Sequence, residues 1–122
     1  MHWIAITMFT EIYLGKEVLE ENKLKEKERV LKYSDTSLFC EEKSVKYSEF
    51  YQAMQTGLKA EKVVVMNIYE YYDFMQEAIK KVCKVRHSIT NNLIEYTIVR
   101  EYEKGTDEIE LTLVRGVEIG NT

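Results

Sequence analysis

The side chains from which a catalyst would be built are few in this chain. Its histidines are His2, at the terminus, and His87, beside a turn; its cysteines are Cys40 and Cys83. A Cys–His nucleophile pair needs both groups within hydrogen-bond reach, and nothing in their spacing brings them there. The cysteines make neither a Cys-x-x-Cys unit nor any metal-ligand spacing, and both fall in stretches that read as strands. They are expected as two small buried apolar side chains in a reducing compartment. Glu41-Glu42, and Glu101 and Glu103 with Glu108 and Glu110 across a hairpin, have the residue types of a nuclease-like metal site. Like charges side by side on an antiparallel pair repel, so they call for cations or solvent. Lys80, Lys84 and Arg86 on a neighbouring strand are the expected partners of Glu101 and Glu103, within a subunit or between subunits. Charge pairing is therefore preferred to metal binding. No phosphate-cradling glycine loop or zinc signature occurs. No catalytic residue, cofactor site or metal ligand is assigned, and the chain is expected not to be an enzyme.

The elements that must hold these groups are mostly strands. His2 to Thr10 reads as a strand that is apolar on both faces. Leu38 to Val45 follows period-two spacing, with Phe39 and Val45 on one face. From about Lys62 the run VVVMNIYEYY has the β-branched and aromatic content of a long strand reaching Tyr72. Asp73 to Glu77 then reads as a loop or tight turn. A strand from about Ala78 to Arg86 sets Ile79, Cys83 and Val85 against Lys80, Lys84 and Arg86. After a turn at Thr90-Asn91-Asn92, Leu93 to Glu103 places Ile94, Tyr96, Ile98 and Tyr102 opposite Glu95, Thr97, Glu101 and Glu103. Lys104-Gly105-Thr106 is a hairpin turn, and Asp107 to Arg115 alternates Ile109, Leu111 and Leu113 with Glu108, Glu110 and Thr112.

Two stretches break this pattern. Residues 48–57 suit one compact helix, with Ser48 as N-cap, Glu49 in the first turn and Gly57 as the stop. Phe50, Met54 and Leu58 form its apolar stripe, and Glu49, Tyr51, Gln52 and Gln55 face outward. Lys16 to Lys32 carries six positive and five negative side chains, and its apolar residues fit neither period. An exposed hairpin, a short charged helix and a mobile loop all suit it. A flexible connection leading into a strand near Glu28 to Tyr33 is preferred, with a solvated surface as its default meaning. The expected fold is mainly β: a small antiparallel β-barrel or sandwich, with one short helix inserted between strands and a long charged loop, spanning residues 1–122 as a single domain.

Bulk composition narrows the function. At 45% hydrophobic and 31% charged, 122 residues suit a folded domain able to bury a modest core. The net charge of −4 argues against a dedicated duplex-DNA binder. The aromatic cluster Tyr69, Tyr71, Tyr72 and Phe74, near a basic strand, admits an OB-like module that stacks single-stranded nucleic acid. The acidic balance favours tyrosines on a sheet face or subunit interface instead. No segment has the length of a membrane span, and WIAITMF has neither a basic leader nor a cleavage-like site. Proline is absent and there are five glycines, so most turns fall to Asn, Asp and Ser.

One run carries a resemblance. Lys43-Ser44-Val45, then Ser48-Glu49-Phe50-Tyr51-Gln52-Ala53, then Gly57-Leu58, followed by a charged turn and a hydrophobic strand, closely resembles the signature of phage head closure proteins, also called head–tail joining or adaptor proteins. The likeness covers most of residues 39–118. It weakens over 73–92, where an Asn-Gly hairpin is expected and none occurs. The resemblance implies a small β-barrel with long loops and a structural virion protein of the head–tail connector. Such subunits form a ring that closes the channel of the DNA-filled head and docks the tail. It implies copies of itself, a portal-associated adaptor and a tail or tail-completion protein as partners. Packaged DNA would lie nearby without sequence-specific binding, and no membrane or cofactor is involved. The chain is then expected at the virion head–tail interface, after assembly in the cytoplasm of a bacterial host. The insertion from Tyr47 to Ala60 is the candidate contact or gating element, with Tyr47, Ser48, Glu49, Tyr51, Gln52 and Gln55 as candidate partner or ring contacts. A tail-completion or neck protein, and the OB-like module, are the alternatives.

Overall fold

Residues 9–43 and 62–115 are those that the structure, a computed structural model, describes. Their elements follow in the order β1 (Phe9–Glu21), β2 (Lys27–Tyr33), β3 (Leu38–Lys43), β4 (Lys62–Asn67), α1 (Ile68–Phe74), β5 (Lys80–Arg86), β6 (Leu93–Lys104) and β7 (Glu108–Arg115). All pairings are antiparallel, in the order β1-β3-β4-β7-β6-β5, and β5 returns to pair with β1. The sheet thus closes into a six-stranded β-barrel with one short helix between β4 and β5. Closure removes the exposed edges of these six strands over most of their length. β2 pairs with β1 alone and stands outside the closed wall.

Period-two alternation fills the barrel. Ile12 and Leu14 of β1, Val64 and Met66 of β4, Cys83 and Val85 of β5, Tyr96 of β6, and Ile109, Leu111 and Leu113 of β7 converge in one buried cluster with Cys40. Each large aliphatic side chain withdrawn from water there contributes roughly 1.5–3 kcal/mol. The expected alternation of the last strand is observed, with Ile109, Leu111 and Leu113 all fully buried. Gly105, at φ 67°, supplies the turn before it.

Two departures from expectation rest on asparagine side-chain hydrogen bonds, and a third on a β-bulge. The run VVVMNIYEYY is not one strand. β4 stops at Asn67, whose Oδ1 accepts from the backbone N–H groups of Tyr69 and Glu70 at 2.9 and 3.0 Å. That caps α1, and Ile68, Tyr71 and Met75 then lie at helical spacing, all buried.

Lys16 to Lys32 is a hairpin, not a flexible connection. β1 runs on to Glu21, and β2 returns in register from Lys27 opposite Glu21 to Tyr33 opposite Gly15. Asn22 makes the turn: its Oδ1 accepts from Leu24 and Glu26, while Lys25 adopts φ 62°. A β-bulge at Val99 corrects the β6 faces. Ile98 opposes Leu113 but Arg100 opposes Thr112, so the extra residue shifts the alternation by one. Beyond it Tyr102 is exposed, and Glu101 and Glu103 oppose the inward-facing Leu111 and Ile109. Of the expected first strand, residues 2–8 lie outside the described residues, as do Val45 and the expected helix over 48–57.

The two rims differ. α1 crosses one, where β4 ends and β7 begins, with Ile68 N–H donating to the Asp107 carbonyl at 2.9 Å. The opposite rim is formed by the ends of strands at Phe9, Lys43, Lys62, Arg86, Leu93 and Arg115.

Candidate assembly surfaces

The candidate contacts Tyr47, Ser48, Glu49, Tyr51, Gln52 and Gln55 lie outside the described residues. Their attachment does not. Lys43 opposes Val63 across β3 and β4, so the connection carrying them begins and ends at neighbouring points of one rim. Lys62 sits at that junction, its Nζ 2.8 Å from the Glu42 carboxylate. This rim also bears exposed apolar residues that sequence patterning missed. Phe9 and Phe39 are 68% and 63% exposed and line one shallow depression with Glu11, Arg86 and His87. A broader depression of about 630 Å³ adjoins it, lined by His87, Thr90, Leu93, Glu95 and Arg115 among others. Here His87 serves a turn, its Nδ1 accepting from the N–H groups of Ile89 and Thr90 at 3.1 and 3.2 Å.

The five predicted charge contacts are all engaged, but not with one another. Glu101 binds Lys81 Nζ at 2.8 Å, and Glu103 accepts from the Tyr72 hydroxyl at 2.7 Å. Lys80 faces Glu17 at 3.7 Å, and Arg86 donates through Nε to Glu11 at 2.7 Å. The Arg86 hydrogen bond, then one from Ser37, hold the Glu11 carboxyl below its ordinary pKa. Lys84 Nζ lies 4.2 Å from the centre of the Tyr33 ring. For Glu101 and Glu103 the bulge is a reason, because it turns them to the inner side, where Lys81 and α1 meet them; Lys84 and Arg86 stand opposite Glu95 and Leu93, too far along β6 to reach them. The bulge also separates Glu101 and Glu103 from Glu108 and Glu110: those residues oppose Lys104 and Tyr102, so the four carboxylates do not share a face. Among the described residues no group of three or more His, Cys, Asp or Glu side chains is arranged to hold a metal ion.

The partners that patterning missed form two clusters. On the outer wall Tyr33 lies across Gly15 and beneath Lys84, and its hydroxyl donates to Glu95. A Cβ on Gly15 would stand 2.5 Å from Tyr33 Cε1 and 2.7 Å from Val82 Cγ2, so close approach demands glycine. Burial first and the Glu95 carboxylate second raise the Tyr33 pKa. At the helix rim Tyr71 is fully buried and packs edge-on against Tyr72, with ring centres 5.6 Å apart. Its hydroxyl stands beside Glu101 and closes no hydrogen bond. Burial, then the neighbouring carboxylate, raise its pKa. The Glu103 hydrogen bond pushes Tyr72 up to about 12.

Cys40 and Cys83 are free thiols in the core, as expected. Burial pushes Cys40 up to about 12 and Cys83 higher still, so neither is a thiolate nucleophile at neutral pH. No described helix is long and apolar enough to cross a membrane.

The described residues define a closed, antiparallel β-barrel with a short helix, α1, across one rim. No family model, no curated protein and no solved structure matches the chain.

Proposed function

We propose that this chain is a structural subunit of a phage or prophage head–tail connector, a head closure protein. Its copies form a ring that closes the channel of the DNA-filled head and docks the tail. One observation carries the reading: the run that resembles the head closure signature lies in the connection between β3 and β4, adjacent strands of a small closed β-barrel. That is the scaffold the resemblance implies. The closed six-stranded wall gives a rigid frame, and the insertion from Tyr47 to Ala60, read from the sequence as a contact or gating element, joins two adjacent strands of it.

A ring needs heterologous side-to-side contacts that close on themselves. The exposed Phe9 and Phe39, with Tyr51 and Gln52, which the sequence pattern expects to face outward, are the surfaces assigned to this work. The chain acts as a part and not as a catalyst, between a portal-associated adaptor and a tail or tail-completion protein. It assembles in the host cytoplasm and resides at the virion head–tail interface. Replacing Tyr51 and Gln52 together with Ala is expected to leave the barrel folded while filled heads lose DNA or fail to join tails. Normal heads and normal joining would refute the assignment.

The nucleic-acid reading draws on the exposed Tyr69 and Tyr72. Glu70, Asp73 and Glu103 surround them, which repels phosphate, and Tyr71 is spent in the core. A gel shift with oligonucleotides across a salt series separates the classes. Binding at physiological salt would favour a single-strand module over a connector subunit.

A further inference from the structure

β2 is the one described strand with a whole edge unpaired, and it has no fully buried residue. Such an edge is a template for another strand. Its hydrogen-bonding phase is fixed. Asn22 N–H donates to the Glu26 carbonyl, and Ser34 N–H to the Leu14 carbonyl, at 2.8 Å each. The even-numbered residues of β2 therefore turn their backbone groups toward β1, and Lys27, Arg29, Leu31 and Tyr33 turn theirs outward. An antiparallel second copy of β2 can pair only with odd residues opposite odd.

Among those registers, one centred on Arg29 sets arginine against arginine, and one centred on Leu31 sets Lys32 against Val30. The register centred on Val30 overlaps the full strand and sets Glu28 opposite Lys32 of the second copy, twice by symmetry. It also resolves an oddity of the hairpin. Within one chain like charges face each other, Glu20 opposite Glu28 and Lys16 opposite Lys32; Lys32 leans along the arm to Glu20, and Lys16 reaches the Gln76 carbonyl. Across the two-fold axis the acidic pair of one copy meets the basic pair of the other. Between these rows Val18 and Val30, already opposite each other in one chain, continue into the same two residues of the second copy. An unbroken apolar row of four strands results.

We propose that β2 is a self-complementary edge through which two copies of this chain pair about a two-fold axis at Val30, joining their sheets. This contact does not rest on the connector reading. An isologous pair closes on itself and does not propagate a ring, so it links two subunits or two assemblies.

Sedimentation of the full-length chain is expected to show association, and Glu28→Lys or Lys32→Glu alone to weaken it about tenfold or more, because each places like charges opposite each other. Mixing the two variants restores opposite charges at both positions, and association is expected to return. Val30→Cys is expected to cross-link to its own copy on mild oxidation, since Cys40 and Cys83 are buried and paired Cβ atoms meet there. Glu28→Cys, whose copies stand about 13 Å apart in this register, is expected not to. Larger assemblies that keep the Val30→Cys cross-link support the proposal. A chain monomeric up to about 1 mM, a mixture that fails to associate, or oxidised Val30→Cys without a cross-link overturns it.

Discussion

The two rims of this barrel are made from the same strands and differ in what their side chains do. At one rim α1 turns Ile68, Tyr71 and Met75 inward, and Lys81–Glu101 and Tyr72–Glu103 close around them. At the other, Phe9, Phe39 and Ile89 face solvent, and the connection between β3 and β4 is anchored. The helix rim buries Tyr71 whole while Tyr69 and Tyr72 stay exposed, and the other rim exposes both Phe9 and Phe39, which the proposed function assigns to a partner. If that division is right, substitutions at the helix rim cost stability and substitutions at the opposite rim cost assembly.

The largest effect is expected at Tyr71. Tyr71→Ala removes a fully buried ring and is expected to cost about 3–5 kcal/mol in denaturant unfolding. Tyr71→Phe deletes only a hydroxyl without a hydrogen-bond partner, so it is expected to be neutral or slightly stabilising. A large loss in Tyr71→Phe would mean that the hydroxyl is bonded after all.

The next effect is alkaline. Cys40 is raised from 9.0 to about 12 by burial, and Tyr72 from 10.0 to about 12 by its Glu103 hydrogen bond. A folded-state pKa above the unfolded value gives stability that is complete below the unfolded pKa and lost as pH rises toward the folded one. Thermal unfolding is therefore expected to weaken from about pH 9 upward, by roughly 1.4 kcal/mol per pH unit for the first thiol. A flat profile between pH 9 and 11 would contradict the burial of both thiols.

Gly15→Ala is expected to cost about 1–3 kcal/mol, because the new methyl meets the Tyr33 ring and Val82 in a packed wall. Smallest is Phe39→Ser at the open rim. Its ring is 63% exposed, so the melting curve is expected to move by less than about 0.5 kcal/mol, while head–tail joining falls. An equal loss of stability at Phe39 and Tyr71 would erase the distinction between the rims.

The barrel wall was legible in the sequence because its strands have one dry face and one wet face, and alternation reports that directly. The final hairpin shows it best, with Ile109, Leu111 and Leu113 dry and Gly105 at the turn. The helix was hidden because Ile68, Tyr69, Tyr71 and Tyr72 are good strand formers; only Asn67, as a cap, marked the change. The charged arm was hidden for a different reason. β2 leaves the closed wall, so neither face is dry enough to leave a period, and its turn rests on one asparagine. The charge partners were hidden for two reasons: no composition signal announces the bulge at Val99 that reverses Glu101 and Glu103, and none gives the register that sets Lys84 and Arg86 opposite Glu95 and Leu93. The buried cysteines and the turn at His87 needed no such long-range information.

Filled heads prepared from a phage carrying this chain, with and without it, give the most direct test of the connector role. Without the chain, electron microscopy is expected to show tail-less heads that lose their DNA, and adding the purified protein back is expected to restore closure and tail joining. Heads that hold their DNA and take tails equally well in its absence would contradict the account.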